Sequence, residues 1–361
     1  MERGAWSAEA LAAKSQHLDS RDAGLASDIV FGTLRRRGQL DVIAGACSTR
    51  PIAKLDLEIR IVLEMSVYQC LFLDRVPDHA IVNDAVELTR RAGKASAAGF
   101  VNAILRGVMR AVITAPDDAA TPAWLMERWR AEFGPEVAGA IAAASLLPPQ
   151  RFIRTGGAEP PQGAIETEVA GCHLLPSGDV GHFRFQDIGS QAVVPLLELQ
   201  PGHRFLDVCA APGNKTAQAL ETPIRAVACE LHPARAQGLR TLGIPVVVAD
   251  ARNPLPFATK FDRILVDAPC TGTGTLSRNP EIKWRLKPED LPDLQGRQRA
   301  ILSSALELLA PGGRLVYSTC SLEREENEDV VANCGHPVLS TMRRLPGRDA
   351  GDGFFAAVIG N

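Results

Sequence analysis

The stretch Phe205-Leu-Asp-Val-Cys209-Ala-Ala-Pro-Gly-Asn-Lys215-Thr-Ala-Gln-Ala-Leu220 decides how the rest of the chain is read. Arg204 to Val208 is a short apolar run closing on an acid, which is the composition of a buried parallel strand. A loop with Pro212 and Gly213 follows, and Lys215 to Leu220 has helix-forming composition. In an open α/β sheet, strand, tight loop and helix bring backbone N–H groups and a helix N-terminus up to a ligand. Ala210 and Ala211 leave room for a close approach. The loop is a ligand cradle.

Downstream of it, apolar runs alternate with helical stretches. Strands are expected at His203–Val208, Arg225–Glu230, Pro245–Ala249, Phe261–Asp267, Gly313–Thr319 and Phe354–Ile359, with a weak one near 337–342. Helices are expected at Pro233–Leu242, Leu294–Leu309 and Glu325–Ala332. The pattern is that of a doubly wound α/β domain with a mostly parallel sheet. Upstream, Ser190 to Pro195 is expected to start a helix packed ahead of the first strand.

Residues 1 to about 145 read as helical throughout. Leu25, Ile29, Val30 and Leu34 recur at helical spacing, and Arg35–Arg37 with Gly38 is expected to close that segment. Leu57, Ile61, Met65 and Tyr68 repeat the pattern, as do Val82, Ala85, Val86 and Leu88, then Phe100, Val101, Ile104, Leu105 and Val108. A bundle of about six helices is expected. The Pro/Gly-rich runs from Leu146 to Arg151 and from Gly156 to Gly163 mark a seam. Short strands are expected at Arg151–Thr155 and Gly181–Gln186, but no pattern assigns residues 150–186 a compact fold. The division expected is a helical domain at 1–145, a linker and shortened intermediate segment at 146–186, and the α/β domain at 187–361.

The totals bound the function. A chain of 361 residues suits two domains, and 46% hydrophobic with 22% charged residues suits buried cores. A net charge of −3 excludes a strongly basic coat while leaving room for a local basic groove. Arg35–Arg37 and the group Arg90, Arg91 and Lys94 are each read as a solvated helix end or an RNA phosphate contact. The eight cysteines include no CxxC pair, which speaks against zinc and against a disulfide framework. No apolar signal segment or membrane-length run is present. Expected are reduced thiols in the cytoplasm, no metal, no membrane partner and a monomer.

Ligands in such sheets sit beyond the carboxyl ends of the strands, which here carry Asp207, Cys209, Glu230, Asp250, Asp267, Cys270 and Cys320. Glu230 is placed to grip a ribose diol, which leaves NAD, FAD and S-adenosylmethionine open. The first loop lacks Gly-x-Gly-x-x-Gly, so an adenosyl ligand without phosphates, S-adenosylmethionine, is favoured. Asp250 is then placed to bond the adenine amino group. Cys47, Cys70, Cys172, Cys229 and Cys334 are read as inert small hydrophobes.

Cys270 and Cys320 differ, because each follows a strand in a turn with polar neighbours, in Asp267-Ala-Pro-Cys-Thr-Gly-Thr-Gly and Tyr317-Ser-Thr-Cys-Ser. Carbon 5 of a pyrimidine is too weak a nucleophile to take a methyl group unaided. A thiolate added at carbon 6 makes the ring enamine-like, and the thiol later leaves by elimination. Such a thiolate needs a nearby cation or helix N-terminus, and Lys215 is the candidate. Asp267 is expected on the cytosine N3/N4 edge. Amino-group methyltransferases favour Asp/Asn-Pro-Pro-aromatic at this place, and Asp-Ala-Pro-Cys departs from that. Spacing alone does not say which cysteine attacks, since DNA cytosine methyltransferases use Pro-Cys.

These motifs, together with Asn279-Pro-Glu-Ile-Lys-Trp-Arg, Glu325-Glu-Asn-Glu and Asp352-Gly-Phe-Phe, resemble the RNA cytosine-C5 methyltransferases of the Nop/Sun type over residues 186–358. The run from Leu25 to Arg37, with Asn83 to Glu87 and Phe100 to Arg106, resembles the NusB-like RNA-binding domain. The resemblance implies a NusB-like helical bundle followed by a Rossmann-like class I S-adenosylmethionine-dependent methyltransferase domain. It implies 16S ribosomal RNA as partner, as in bacterial Sun-type members. It also implies Cys320 as nucleophile, Cys270 as the releasing partner, and a cofactor site of Cys209, Ala210, Ala211, Pro212, Gly213, Asn214, Lys215, Glu230, Asp250 and Asp267. Two departures stand out. Asn214 replaces the second Gly of the family's Pro-Gly-Gly-Lys, and the segment 150–186 is shorter than the family's RNA-holding subdomain. Asn tolerates a left-handed backbone, so binding is expected to survive. A tRNA target and a non-catalytic RNA-binding assembly factor are the alternatives.

Overall fold

The structure, a computed structural model, describes residues 7–361. It divides into two compact units, the first running to Leu147 and taking in Asn279–Arg285, the second comprising Pro148–Arg278 and Leu286–Asn361.

In the first unit the helices are α1 (Ser7–Ser15), α2 (Ser20–Ala46), α3 (Leu57–Phe72), α4 (Asp78–Arg91), α5 (Ala98–Arg110), α6 (Ala123–Phe133) and α7 (Pro135–Ala144). Asp19 caps α2 by accepting the Asp22 backbone N–H at 2.8 Å. The core is made by Leu40, Leu63, Val67, Val101 and Leu105, all fully buried. Each such side chain contributes roughly 1.5–3 kcal/mol by leaving water. Two expectations fail here. Helix α2 does not stop at Gly38 but runs on to Ala46. Gly38 is instead a close approach, since a Cβ there would lie 1.9 Å from the Ala119 carbonyl oxygen. In α3, Leu57 and Ile61 are exposed, and the buried face is Ile59, Val62, Leu63 and Val67. A helix apolar on several sides offers more than one stripe, and contact rather than spacing selects the buried one.

The segment Asn279–Arg285 folds with these helices although its sequence lies among the methyltransferase motifs. Trp284 Nε1 donates to the Leu34 carbonyl at 2.8 Å, and Lys283 Nζ donates to the Arg35 carbonyl at 2.8 Å. The first basic cluster is largely spent inside the unit. Arg35 is buried, Arg37 pairs with Glu64 at 3.0 Å, and Arg36 lies 4.3 Å from the Phe72 ring centroid. Arg35–Arg37 is therefore not the solvated helix end that is one of its two readings, because it lies within α2 and is packed or paired.

The second unit opens with a small antiparallel sheet, β1 (Phe152–Arg154), β2 (Ile165–Glu166), β3 (Cys172–Leu174) and β4 (Arg184–Phe185), in the order β2-β3-β1-β4. Phe152, Cys172 and Ile188 close its core. Residues 150–186 therefore have a compact fold that their composition did not announce. Helix α8 (Ile188–Val193) starts two residues earlier than expected, capped by Asp187, whose side chain accepts the Gly189 N–H.

The main sheet comprises β5 (Arg204–Asp207), β6 (Arg225–Glu230), β7 (Val246–Val248), β8 (Phe261–Asp267), β9 (Leu309–Thr319), β10 (Val338–Arg344) and β11 (Phe354–Gly360). Their order is β10-β11-β9-β8-β5-β6-β7, with β9 to β7 parallel and the β10–β11 hairpin antiparallel at one edge. Between β5 and β6 lies α9 (Asn214–Ala219), and between β6 and β7 α10 (Pro233–Leu239). Side chains alternate across the sheet as its period of two requires. Leu206, Ile264, Val266 and Tyr317 pack on one face, and Phe205, Leu265 and Val316 on the other. The chain steps from β5 through β6 to β7, then crosses to β8 on the far side, so a crevice opens beyond β5. The expected helix at 325–332 is broken into a 3-10 turn at Arg324–Glu326 and a single helical turn at Glu328–Val331, with Asn327 at φ −114, ψ −99 between them.

Candidate active site

The parallel pairing of β8 with β9 sets Asp267 opposite Ser318. The residues that follow, at the two carboxyl ends, are therefore carried side by side. Cys270 and Cys320, fifty positions apart in sequence, bring their Sγ atoms to 3.4 Å. The turn is tightly packed. Gly274 donates its N–H to the Cys320 carbonyl at 2.8 Å and accepts the Gly353 N–H at 2.8 Å. A Cβ on Gly274 would lie 2.3 Å from the Gly353 oxygen, so only glycine fits.

One carboxylate holds both cysteine turns. Glu326, fully buried, accepts the Thr271 backbone N–H at 2.9 Å and the Thr271 hydroxyl at 2.5 Å, and also receives the Ser321 hydroxyl. Gln298 Nε2 adds a further bond at 2.9 Å. Thr271 follows Cys270 and Ser321 follows Cys320. Glu326 thus ties the backbone just past each thiol. In the sequence, Glu326 lies in the motif Glu325-Glu-Asn-Glu, whose spacing alone points to no role.

Asp267 and Lys215 meet at the carboxyl end of β8. Lys215 Nζ donates to Asp267 Oδ2 at 2.7 Å, and the Ser318 hydroxyl donates to Oδ1 at 2.9 Å. Lys215 was expected to depress a thiol. Instead its ammonium is paired with Asp267, and the close polar neighbour of each sulfur is the other sulfur. The Cys270 thiol is pushed well up from its ordinary range, first by its hydrogen bond to Cys320 and then by burial.

A cavity of about 80 Å³ lies at the β5 end, lined by Ser190, Asp207, Cys209, Ala210, Ala211, Pro212, Asn214, Lys215 and Asp267. The Ala211–Pro212 peptide is cis. Gly213, not Asn214, takes the left-handed backbone, with φ +102. Asn214 begins α9 and its Nδ2 donates to the Phe185 carbonyl at 3.2 Å. The expectation that Asn214 must tolerate a left-handed conformation is thus corrected, because the preceding glycine absorbs the turn.

The cavity wall carries an unanswered acceptor. Asp207 Oδ2 accepts the Thr216 hydroxyl at 2.7 Å, while the buried Oδ1 has no partner among the described residues. Burial pushes this carboxyl up to about 7, against the pull of the Thr216 bond. A buried acceptor left open in a cavity wall suits a ligand bearing an N–H donor there, such as the ammonium of S-adenosylmethionine. In the sequence, Asp207 stands at a strand end but is given no ligand role, and Ser190 reads only as the start of a helix. Glu230 and Asp250 do stand at the ends of β6 and β7 but do not line this cavity. Glu230 is buried and accepts the His232 N–H at 3.0 Å. The Arg252 guanidinium, 2.6 Å from Asp250, holds that carboxyl below the usual range.

Comparison with known proteins places this arrangement. Residues 194–336 match the family described as 16S rRNA methyltransferase RsmB/F, and residues 1–110 match the NusB family. A ribosomal RNA small subunit methyltransferase B of Salmonella paratyphi B is 31% identical over 394 residues, covering 95% of this chain and 92% of the relative. A probable ribosomal RNA small subunit methyltransferase B of Bacillus subtilis is 29% identical over 386 residues, covering 92% of this chain and 86% of the relative. Among solved structures, PH0851 superposes with a TM-score of 0.78 at 22% identity, covering 97% of this chain and 93% of its own. NSun6 from Pyrococcus horikoshii with SFG superposes with a TM-score of 0.60 at 20% identity, covering 66% of this chain and 98% of its own. At those identities the structures speak for the fold alone. The sequence relationship, carried over nearly the whole length, makes this chain a member of the 16S rRNA methyltransferase RsmB/F family, with a NusB-type helical domain preceding the methyltransferase domain.

Proposed function

We propose that this chain transfers a methyl group to carbon 5 of a cytosine in small-subunit ribosomal RNA, through a covalent bond between Cys320 and carbon 6. S-adenosylmethionine would supply an electrophilic methyl group there, held by Asp207, Cys209 to Lys215 and Asp267 around the cavity, with Glu230 and Asp250 at the ends of β6 and β7 outside its lining. The observation that carries the reading is the 3.4 Å gap between the Cys270 and Cys320 sulfurs, in the turns that follow the two strands paired at Asp267 and Ser318.

The Cys320 sulfur adds to carbon 6, and the electrons of the 5,6 double bond move to carbon 5 and into the ring. Asp267 accepts the N4 amino hydrogen, and the Lys215 ammonium stabilises the charge that builds up on the ring. After carbon 5 is methylated, a base removes its hydrogen. Those electrons restore the double bond and expel Cys320 as a thiolate. Cys270 is placed to be that base by the 3.4 Å approach of its sulfur to Cys320. With Cys320 bonded to carbon, Cys270 releases its own proton to water and, as a thiolate, takes the carbon 5 proton.

Radiolabelled methyl transfer to 16S RNA tests the proposal. Cys320→Ala is expected to abolish transfer, and Cys270→Ala to accumulate a protein–RNA adduct visible on a denaturing gel. The opposite pattern would reverse the two roles. Transfer to tRNA alone would move the substrate, and RNA binding without transfer to either would favour an assembly factor.

A further inference from the structure

A second and larger cleft, of about 450 Å³, lies in the same unit as the catalytic sheet. It shares Ser190 and Asn214 with the cavity at the β5 loop, so the two spaces adjoin. Phe185 lines it from β4 and is 46% exposed, a large aromatic surface that the small sheet does not bury. The Arg151 guanidinium lies over that ring at 5.2 Å from the centroid, and its NH2 is held by the Gly178 carbonyl at 3.0 Å. A second guanidinium, Arg278, also lines the cleft. Its charge is answered by Asp352 at 3.0 Å and Asp187 at 3.6 Å. The cleft therefore offers a flat stacking surface more than a phosphate clamp. None of Arg151, Phe185 and Arg278 has a part in the methyl transfer described above.

An RNA strand that turns a base out of its stack leaves the neighbouring bases without stacking partners, and single-stranded recognition replaces these with aromatic and guanidinium planes. We propose that this cleft is a second base pocket, which takes the nucleobase of a nucleotide adjoining the target cytosine on the same strand, stacked on Phe185 and Arg151. The proposal rests on the reading that RNA is the substrate.

The test uses the full chain and a 16S-derived RNA carrying an abasic ribose at each position flanking the target in turn. With the unaltered enzyme, one flanking abasic position is expected to raise KM about tenfold at unchanged kcat. Phe185→Ala is expected to raise KM about tenfold for intact RNA and to be indifferent to that abasic position, while Phe185→Trp restores both. Unchanged binding of S-adenosylhomocysteine by Phe185→Ala shows that the fold persists. Equal abasic penalties in both enzymes, or a penalty confined to kcat, overturn the pocket. If no methyl transfer to RNA is found, it is the reading of function that has failed. The pocket is then judged by 2-aminopurine placed at the flanking positions. Quenching that Phe185→Ala abolishes supports it, and absence of quenching in the unaltered protein overturns it.

Discussion

Lys283 of the helical unit and Glu326 of the catalytic unit are both charged residues removed from water, and they are answered in opposite ways. Lys283, 1% exposed, donates to the Arg35 carbonyl and, at 3.3 Å, to the Ser145 hydroxyl, both neutral acceptors. Burial, with Arg35 and Arg36 adding positive charge nearby, brings its ammonium down to about 7. Glu326 is surrounded by donors, Thr271 and Ser321 from the turns just past the two cysteines and Gln298 from outside them. A buried charge met by neutral acceptors is a pH-dependent feature of stability. A carboxylate filled with donors is a strut that fixes geometry.

Breaking the strut should have the largest effect. Glu326→Ala leaves Gln298 Nε2 and the Thr271 N–H short of a buried acceptor and frees the turns after both thiols. A displacement of about 1 Å at reacting atoms costs on the order of 100-fold in rate, so kcat is expected to fall by about that factor. A second readout separates positioning from simple loss of folding. Diamide should oxidise the Cys270–Cys320 pair of the folded unaltered protein to a disulfide quickly, and that of folded Glu326→Ala slowly. Equal rates would contradict the strut.

Lys283 sharpens the other side. In the window from about pH 7 to 10.5 the unfolded chain holds a proton on this lysine that the folded chain does not. Stability must therefore rise with pH there, by up to ~1.4 kcal/mol per unit from this group. Below about 7 both states are protonated and the burial penalty is fully present. Lys283→Met is expected to remove that slope. The tryptophans at 124, 129 and 284 fall in the helical unit and the catalytic unit contains none, so tryptophan fluorescence during urea unfolding does not report the catalytic unit. A slope that survives the substitution assigns the pH dependence elsewhere.

Asn214→Gly should show the smallest effect. The left-handed turn belongs to Gly213, and the substitution removes one exposed hydrogen bond to the Phe185 carbonyl. A change in S-adenosylmethionine affinity of no more than about threefold is expected by titration. Gly213→Ala is the contrasting case, because its Cβ would stand 2.8 Å from the Leu239 side chain at a positive φ. A large loss with Asn214→Gly and none with Gly213→Ala would invert the account of this loop.

The order of helices and strands, the β5 loop and the two cysteine turns were legible in the chain because each is written in local composition. An apolar run bounded by an acid, a Pro-Gly turn, or a cysteine after a strand needs no knowledge of distant residues. Edges were less legible. Gly38 reads as a stop and is a contact with Ala119, and Arg35–Arg37 reads as a basic end and is mostly packed or paired. What only the tertiary structure decided are pairings across sequence: the two sulfurs fifty residues apart at 3.4 Å, Glu326 beneath both, and Asn279–Arg285 folding with the helices. These depend on which strands lie side by side and in what register, and local periodicity carries no record of either.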